Sequence, residues 1–172
     1  VGVAGVGGWI EFLGGGQPGG NAYLSGRTLA TGRRKGGQID ATAHNLTLAG
    51  ATFDSSATEA GGQAGRQRIG GGWQGMDANI ANALNTIVNG DTTLTNQGLD
   101  GMVVVWSDGK TTFGAKLNAR GSDVEISGKE NLSANLDGVA AKTLLLDPKN
   151  ITIVEAISTE SFASTVECNI ST

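Results

Sequence analysis

Apolar and polar residues alternate in short runs along most of the chain, and the runs come in groups. Ile39, Ala41 and Ala43 alternate with Gln38, Asp40 and Thr42. After His44-Asn45 come Leu46 and Leu48, and after Gly50 come Ala51 and Phe53. A period of two sends one set of side chains inward and the other outward, as in a strand buried on one face. Three strands of four or five residues, each closed by a polar turn, are what one turn of a parallel β-helix uses. The phrase opens on glycine doublets at Gly19-Gly20, Gly36-Gly37 and Gly61-Gly62, and similar phrases start near Gly101, Ser122 and Ala141. Self-similarity at roughly 17 to 25 residues predicts a solenoid. Its inward residues stack at about 4.8 Å, and its glycines sit where backbone approaches backbone. The expected class is all-β, a parallel β-helix. A β-sandwich is the alternative, because Asn89-Gly90 is also a hairpin signal.

One stretch departs from the strand period. Met76, Ile80, Ala83, Leu84, Ile87 and Val88 fall at helical spacing, with Asp77 as first-turn acid and Gly90 as a stop. The spacing predicts a short helical insertion near 76–88 whose apolar face covers a flank of the solenoid. The chain then divides into an N-terminal strand and assembly segment (1–18), β-helix coils (19–154) with an inserted excursion (76–98), and a C-terminal strand or tail (155–172).

Composition narrows the class. Glycine supplies 29 of 172 residues and charged residues only 16%, with a net charge of −4. Low charge combined with recurrent Val, Ile and Thr argues for a folded β protein rather than disorder. A mildly acidic chain is a poor partner for nucleic acid, whose phosphates need a basic face. The one basic run, Arg33-Arg34-Lys35, lies between Gly32 and Gly36 and reads as a solvated turn. No run approaches the ~18 apolar residues of a membrane helix. The single cysteine, Cys168, excludes an internal disulfide and a cysteine-rich metal site. Lacking an initiator Met, the chain reads as a processed product or a piece of a longer protein.

Four blocks carry a resemblance. They are Arg68-Ile69-Gly70-Gly71-Gly72-Trp73-Gln74-Gly75, Val103-Val104-Val105-Trp106-Ser107-Asp108-Gly109-Lys110-Thr111-Thr112-Phe113-Gly114, Val124-Glu125-Ile126-Ser127-Gly128-Lys129-Glu130-Asn131-Leu132, and Thr143-Leu144-Leu145-Leu146-Asp147-Pro148-Lys149-Asn150-Ile151-Thr152-Ile153. Together they resemble the repeat regions of bacterial filamentous-haemagglutinin-like exoproteins of two-partner secretion. The resemblance covers about residues 36–154. It implies a right-handed β-helix, export to the bacterial cell surface, and an adhesive or structural role. It brings no catalytic residues. The family's N-terminal secretion domain is not recognised, and the tail after Val154 leaves the pattern.

No motif supplies a chemistry. Gly14-Gly15-Gly16-Gln17-Pro18-Gly19 matches the spacing of a nucleotide-binding loop but no helix follows, and Gly109-Lys110-Thr111 has Val104 where a phosphate loop needs glycine. His44 is the only histidine, and no nucleophile elbow accompanies it. A β-helical lyase or hydrolase would need acids and bases converging on one face, for which Asp40, Asp54, Asp108 and Glu125 are the candidates. Trp9, Trp73 and Trp106 are the candidates for a glycan platform. The Asn-x-Ser/Thr matches at Asn45, Asn131, Asn150 and Asn169 read as strand alternation. The expectation is therefore a non-enzymatic extracellular surface protein, with no catalytic, cofactor or metal residues. Its expected partners are copies of itself, joined into a fibre by β-strand addition or end-to-end stacking, and host or matrix glycans. A carbohydrate-active enzyme or glycan-binding module is the alternative.

Overall fold

The computed structural model describes residues 5–15 and 19–149. It contains twelve strands: β1 (Trp9–Leu13), β2 (Asn21–Leu29), β3 (Gln38–Thr42), β4 (Asn45–Asp54), β5 (Arg66–Ile69), β6 (Asn85–Val88), β7 (Thr93–Thr95), β8 (Gly101–Val105), β9 (Lys110–Phe113), β10 (Lys116–Ile126), β11 (Asn131–Ala134) and β12 (Val139–Leu145). Every strand pairing among the described residues is parallel. The sandwich alternative is thereby excluded, and the chain is a parallel β-helix of about five coils.

Three sheets form its sides. The first runs β1–β3–β5–β8 and continues through the second half of β10 to the end of β12. The second joins the first halves of β2 and β4 to β6, β9 and β11. The third joins the second halves of β2 and β4 to β7 and the first halves of β10 and β12. Read along the register Trp9–Gln38–Arg66–Met102–Asp123–Thr143, successive coils are 29, 28, 36, 21 and 20 residues long. The glycine phrases understate the first three because long corner segments separate their strands.

The core is a set of columns along the axis. Ala41, Ile69, Val105 and Ile126 stack on the first sheet, and Leu48, Val88 and Phe113 on the second. Phe53, Leu94 and Leu117 stack on the third. All ten are buried, and each such side chain contributes up to about 3 kcal/mol by leaving water. Phe12 closes the N-terminal end with its ring 6.0 Å from that of Phe53. At the corner between the third and first sheets the interior turns polar. There Asn96 accepts from Ser55 at 2.8 Å and donates to Ser122 at 3.0 Å, while Gln67 donates to Ser55 and to the Thr95 carbonyl. The same corner is floored by glycine because coils touch through their backbones. A Cβ at Gly36 would overlap the carbonyl oxygen of Ser55 and lie 2.6 Å from the amide of Gly65.

The helix expected over 76–88 is not formed. Residues 85–88 are β6, with Thr86 and Val88 inward and Ile87 outward, so a period of two replaces the helical spacing. Met76, Leu84 and Ile87, which would have shared the apolar helical face, are exposed. β-Branched Thr86, Ile87 and Val88 suit a strand paired on both sides. Asp77 does not cap a helix. Its carboxylate accepts from the Asn79 amide two residues on, an Asx turn. Asn89-Gly90 is a corner between the second and third sheets, closed by a Thr92 N–H to Asn89 carbonyl bond of 3.0 Å. The irregular segment is residues 70–84, and it lies outside the first sheet as a flap.

Candidate functional site: a flap over a charged column

Outward side chains of the first sheet stand in register as Glu11, Asp40, Arg68, Val104, Glu125 and Leu145. On an open sheet this column would face water. Instead Asp40 is 1% exposed, Arg68 3% and Glu125 0%. The flap excludes the solvent. Its Gly71 and Gly75 lie against Trp106, and a Cβ at Gly75 would stand 2.6–2.7 Å from three atoms of that ring. The Trp106 indole donates to Asp108 at 3.1 Å, and Asn82 in the flap donates to the same carboxylate oxygen at 3.0 Å. Farther along, Thr42 donates to the Ala81 carbonyl and the Ala83 amide to the Gly70 carbonyl.

Two carboxylates under the flap differ in electrostatics. Asp40 accepts twice from the Arg68 guanidinium, at 2.7 Å each, and also from Gln38 at 2.6 Å and Trp9 at 2.7 Å. Burial pushes the Asp40 carboxyl up, but these donors and the Arg68 charge outweigh it and hold the group below its ordinary value. Arg68 also meets Asp77 of the flap at 2.7 Å, so its charge is shared between sheet and flap. Glu125 has no such cation. Its Oε2 accepts the Gln74 amide at 2.7 Å, and its Oε1, although buried, has no hydrogen-bond partner among the described residues. Burial pushes the carboxyl up to about 7 against the pull of the Gln74 amide and Ser127 hydroxyl, and the charge of Asp147 adds to the rise. Gln74 itself sits at φ 51°, left-handed backbone that a side chain bearing a Cβ adopts at a cost.

The acids considered for catalysis do not converge. Asp40 and Glu125 share a column but are separated by Arg68 and Val104. Asp54 binds the Ser56 amide near the third sheet, and Asp108 belongs to the Trp106 corner. His44 stands at a corner, where its carbonyl accepts from Leu84 and Asn85. Arg33 faces Glu59 at 3.7 Å on the surface. Of the tryptophans, Trp106 is buried and Trp73 half-buried, while Trp9 is 63% exposed. They form no common platform. Cys168, Asn150 and Asn169 lie outside the described residues. Among the described residues no three metal-ligating side chains gather, and no helix is long and apolar enough to cross a membrane, which says nothing of a β-barrel.

Two features escaped the sequence reading. One is the Asp40–Arg68–Asp77 cluster. The other is an asparagine ladder, in which Asn85 donates to Asn45 at 2.8 Å and Asn45 to Asn21 at 2.9 Å. Its signal was present in the sequence, since Asn21, Asn45, Asn85 and Asn131 each open a strand of the second sheet.

The four recognised blocks also fall into place, because their Ile69, Val105 and Ile126 form one column of the first sheet and their Arg68, Val104, Glu125 and Leu145 another. The fold has a counterpart among solved structures. The chain is similar to the HMW1 secretion domain from Haemophilus influenzae. Identity is 29%, the TM-score is 0.59, and the match covers 77% of this chain and 38% of that one. This chain thus spans well under half the length of its structural neighbour. The likeness lies with a secretion domain, whereas the four sequence blocks resemble repeat regions. No protein-family profile and no curated protein matches the chain.

Proposed function

We propose that this chain is an exported, non-enzymatic β-helix of a bacterial cell surface, with a structural or adhesive role. The carrying observation is the match of 77% of the chain to a secretion domain of the same β-helical kind. The scattered acids support the non-enzymatic part, because general acid–base chemistry needs groups within reach of one reacting bond. An antibody raised against the folded chain tests the location. It should label intact cells of the producing bacterium. Labelling only after the cells are permeabilised would overturn the proposal.

Self-assembly is the finer part of the proposal. Among the described residues β1 pairs only with β3, and β2 only with β4. Ile10, Phe12, Ala22 and Leu24 are half-buried at that end, and Leu132, Leu136, Val139 and Ala141 are half-buried at the other. Parallel strand edges beside half-buried apolar residues favour end-to-end stacking, with main-chain bonds supplying the affinity. Host or matrix glycans are the second partner class, and the exposed Trp9 ring is the tryptophan surface that serves them.

A further inference from the structure

Glu125 is placed to act on the flap rather than on a substrate. It is fully buried beneath residues 70–84, one oxygen holds the flap through the Gln74 amide, and the other has no partner among the described residues. The flap residue it holds is the one non-glycine flap residue at positive φ. A protonated carboxyl tolerates such a dry site, whereas a carboxylate with an unpartnered oxygen is costly there. We propose that Glu125 is a pH-sensitive latch: protonated, it lets the flap close over the first sheet, and ionised, it favours an open flap in which water reaches the carboxylate.

The surrounding groups leave Glu125 to set this response. On its own strand β10, Asp123 accepts from Thr143 at 2.7 Å, and just past the strand the Ser127 hydroxyl, which accepts from the Asp147 amide at 3.0 Å, pulls the Glu125 carboxyl down. From β8 the neighbour in register is Val104, and from β12 it is Leu145, with Asp147 following as the charge that opposes ionisation. From β5, Arg68 lies beyond Val104 and is committed to Asp40 and to Asp77, the flap's own acid. Asp108 meets the flap through Asn82. The hinge side is the Arg68–Asp77 pair and the Thr42–Ala81 bond, and the latch side is Gln74.

The sign follows from linkage. A carboxyl that titrates near 7 when covered and at its ordinary 4.5 when hydrated favours the covered state at low pH and loses that preference as pH rises. Between about pH 5.5 and 8.5 the open-to-closed ratio is expected to rise about 30-fold, as the difference between those two values requires. Hydrogen exchange on the full chain reads this as protection factors at Gln74, Gly75 and Ala83, which remove the intrinsic pH dependence of exchange. Protection at these amides should fall across that range while the core amides of Val103 and Leu117 stay protected. Glu125→Gln, which stays neutral, should flatten the response, and His44→Gln should leave it unchanged. Asp147→Asn, at an exposed position, should move the midpoint to lower pH. Flat flap protection in the unmodified chain, an unchanged response in Glu125→Gln, or an unmoved midpoint in Asp147→Asn would each overturn the latch.

Discussion

Replacing Asp40 by Asn tests the electrostatics under the flap most directly. The substitution keeps the shape, removes the charge and turns one acceptor oxygen into a donor. Arg68, 3% exposed and held by Asp40 through two bonds of 2.7 Å, then keeps only Asp77 as a countercharge. Removing one member of a buried ion pair costs about 3–5 kcal/mol, because the remaining charge stays desolvated. With Asp77 still in place, a loss of about 3 kcal/mol is expected, measured by urea unfolding at neutral pH. The double variant Asp40→Asn/Arg68→Met should lose less than Asp40→Asn alone, since no buried cation remains. Asp40 also sets an acid limit. Its folded value is depressed, so its contribution is present above the ordinary 3.8 and is lost as pH falls further, through the folded value. A single variant costing under about 1 kcal/mol, or a double variant costing the sum of the two singles, would refute this account.

Two further perturbations separate backbone packing from assembly. Gly36→Ala should cost about 1–3 kcal/mol by forcing coils apart at the Ser55 carbonyl, while Gly8→Ala, with nothing within 4 Å of its added Cβ, should change thermal stability by under about 0.5 kcal/mol; equal losses would deny the close approach. Ile10→Lys places a charge at the half-buried N-terminal mouth and should reduce concentration-dependent association in sedimentation velocity without altering the β-sheet circular dichroism; association at the unmodified level, or a monodisperse unmodified monomer at high concentration, counts against end-to-end stacking.

Much of the coil architecture was legible because it is periodic. Ile39 and Ala41 were expected inward from alternation alone, and both are in the core. Val103 and Val105 face in with Val104 outward, as a period of two requires. The helix over 76–88 failed for a definable reason. Apolar residues at helical spacing also fit two short stretches on different elements, and here Ile80 and Ala83 belong to the flap while Val88 belongs to β6. Asn79, Asn82 and Asn85 together with β-branched Thr86, Ile87 and Val88 offset the helix propensity of Ala78, Ala81 and Ala83. Of the four acids considered, Asp40 and Glu125 share one outward column, which their places along the chain did not predict, while Asp54 and Asp108 bond elsewhere.

The candidate site was the least legible part, and sequence separation explains why. Neighbours one coil apart recur at 20–36 residues, so Asp40 and Arg68, 28 residues apart, can be paired once the coils are in register. The Gln74–Glu125 contact spans 51 residues, because the flap leaves the coil after β5 and returns over strands formed later in the chain. No period predicts that contact. What the sequence does offer is a departure from pattern: an acid at the outward position of Val124-Glu125-Ile126, aligned with Val104 of Val103-Val104-Val105 one coil earlier. An outward valine and an outward glutamate in the same column point to a sheet face that is covered yet still contains an ionisable group. In a solenoid, where outward positions are ordinarily solvated, that combination calls for a covering segment. The longest coil, 36 residues between Arg66 and Met102, is the one with chain to spare for it.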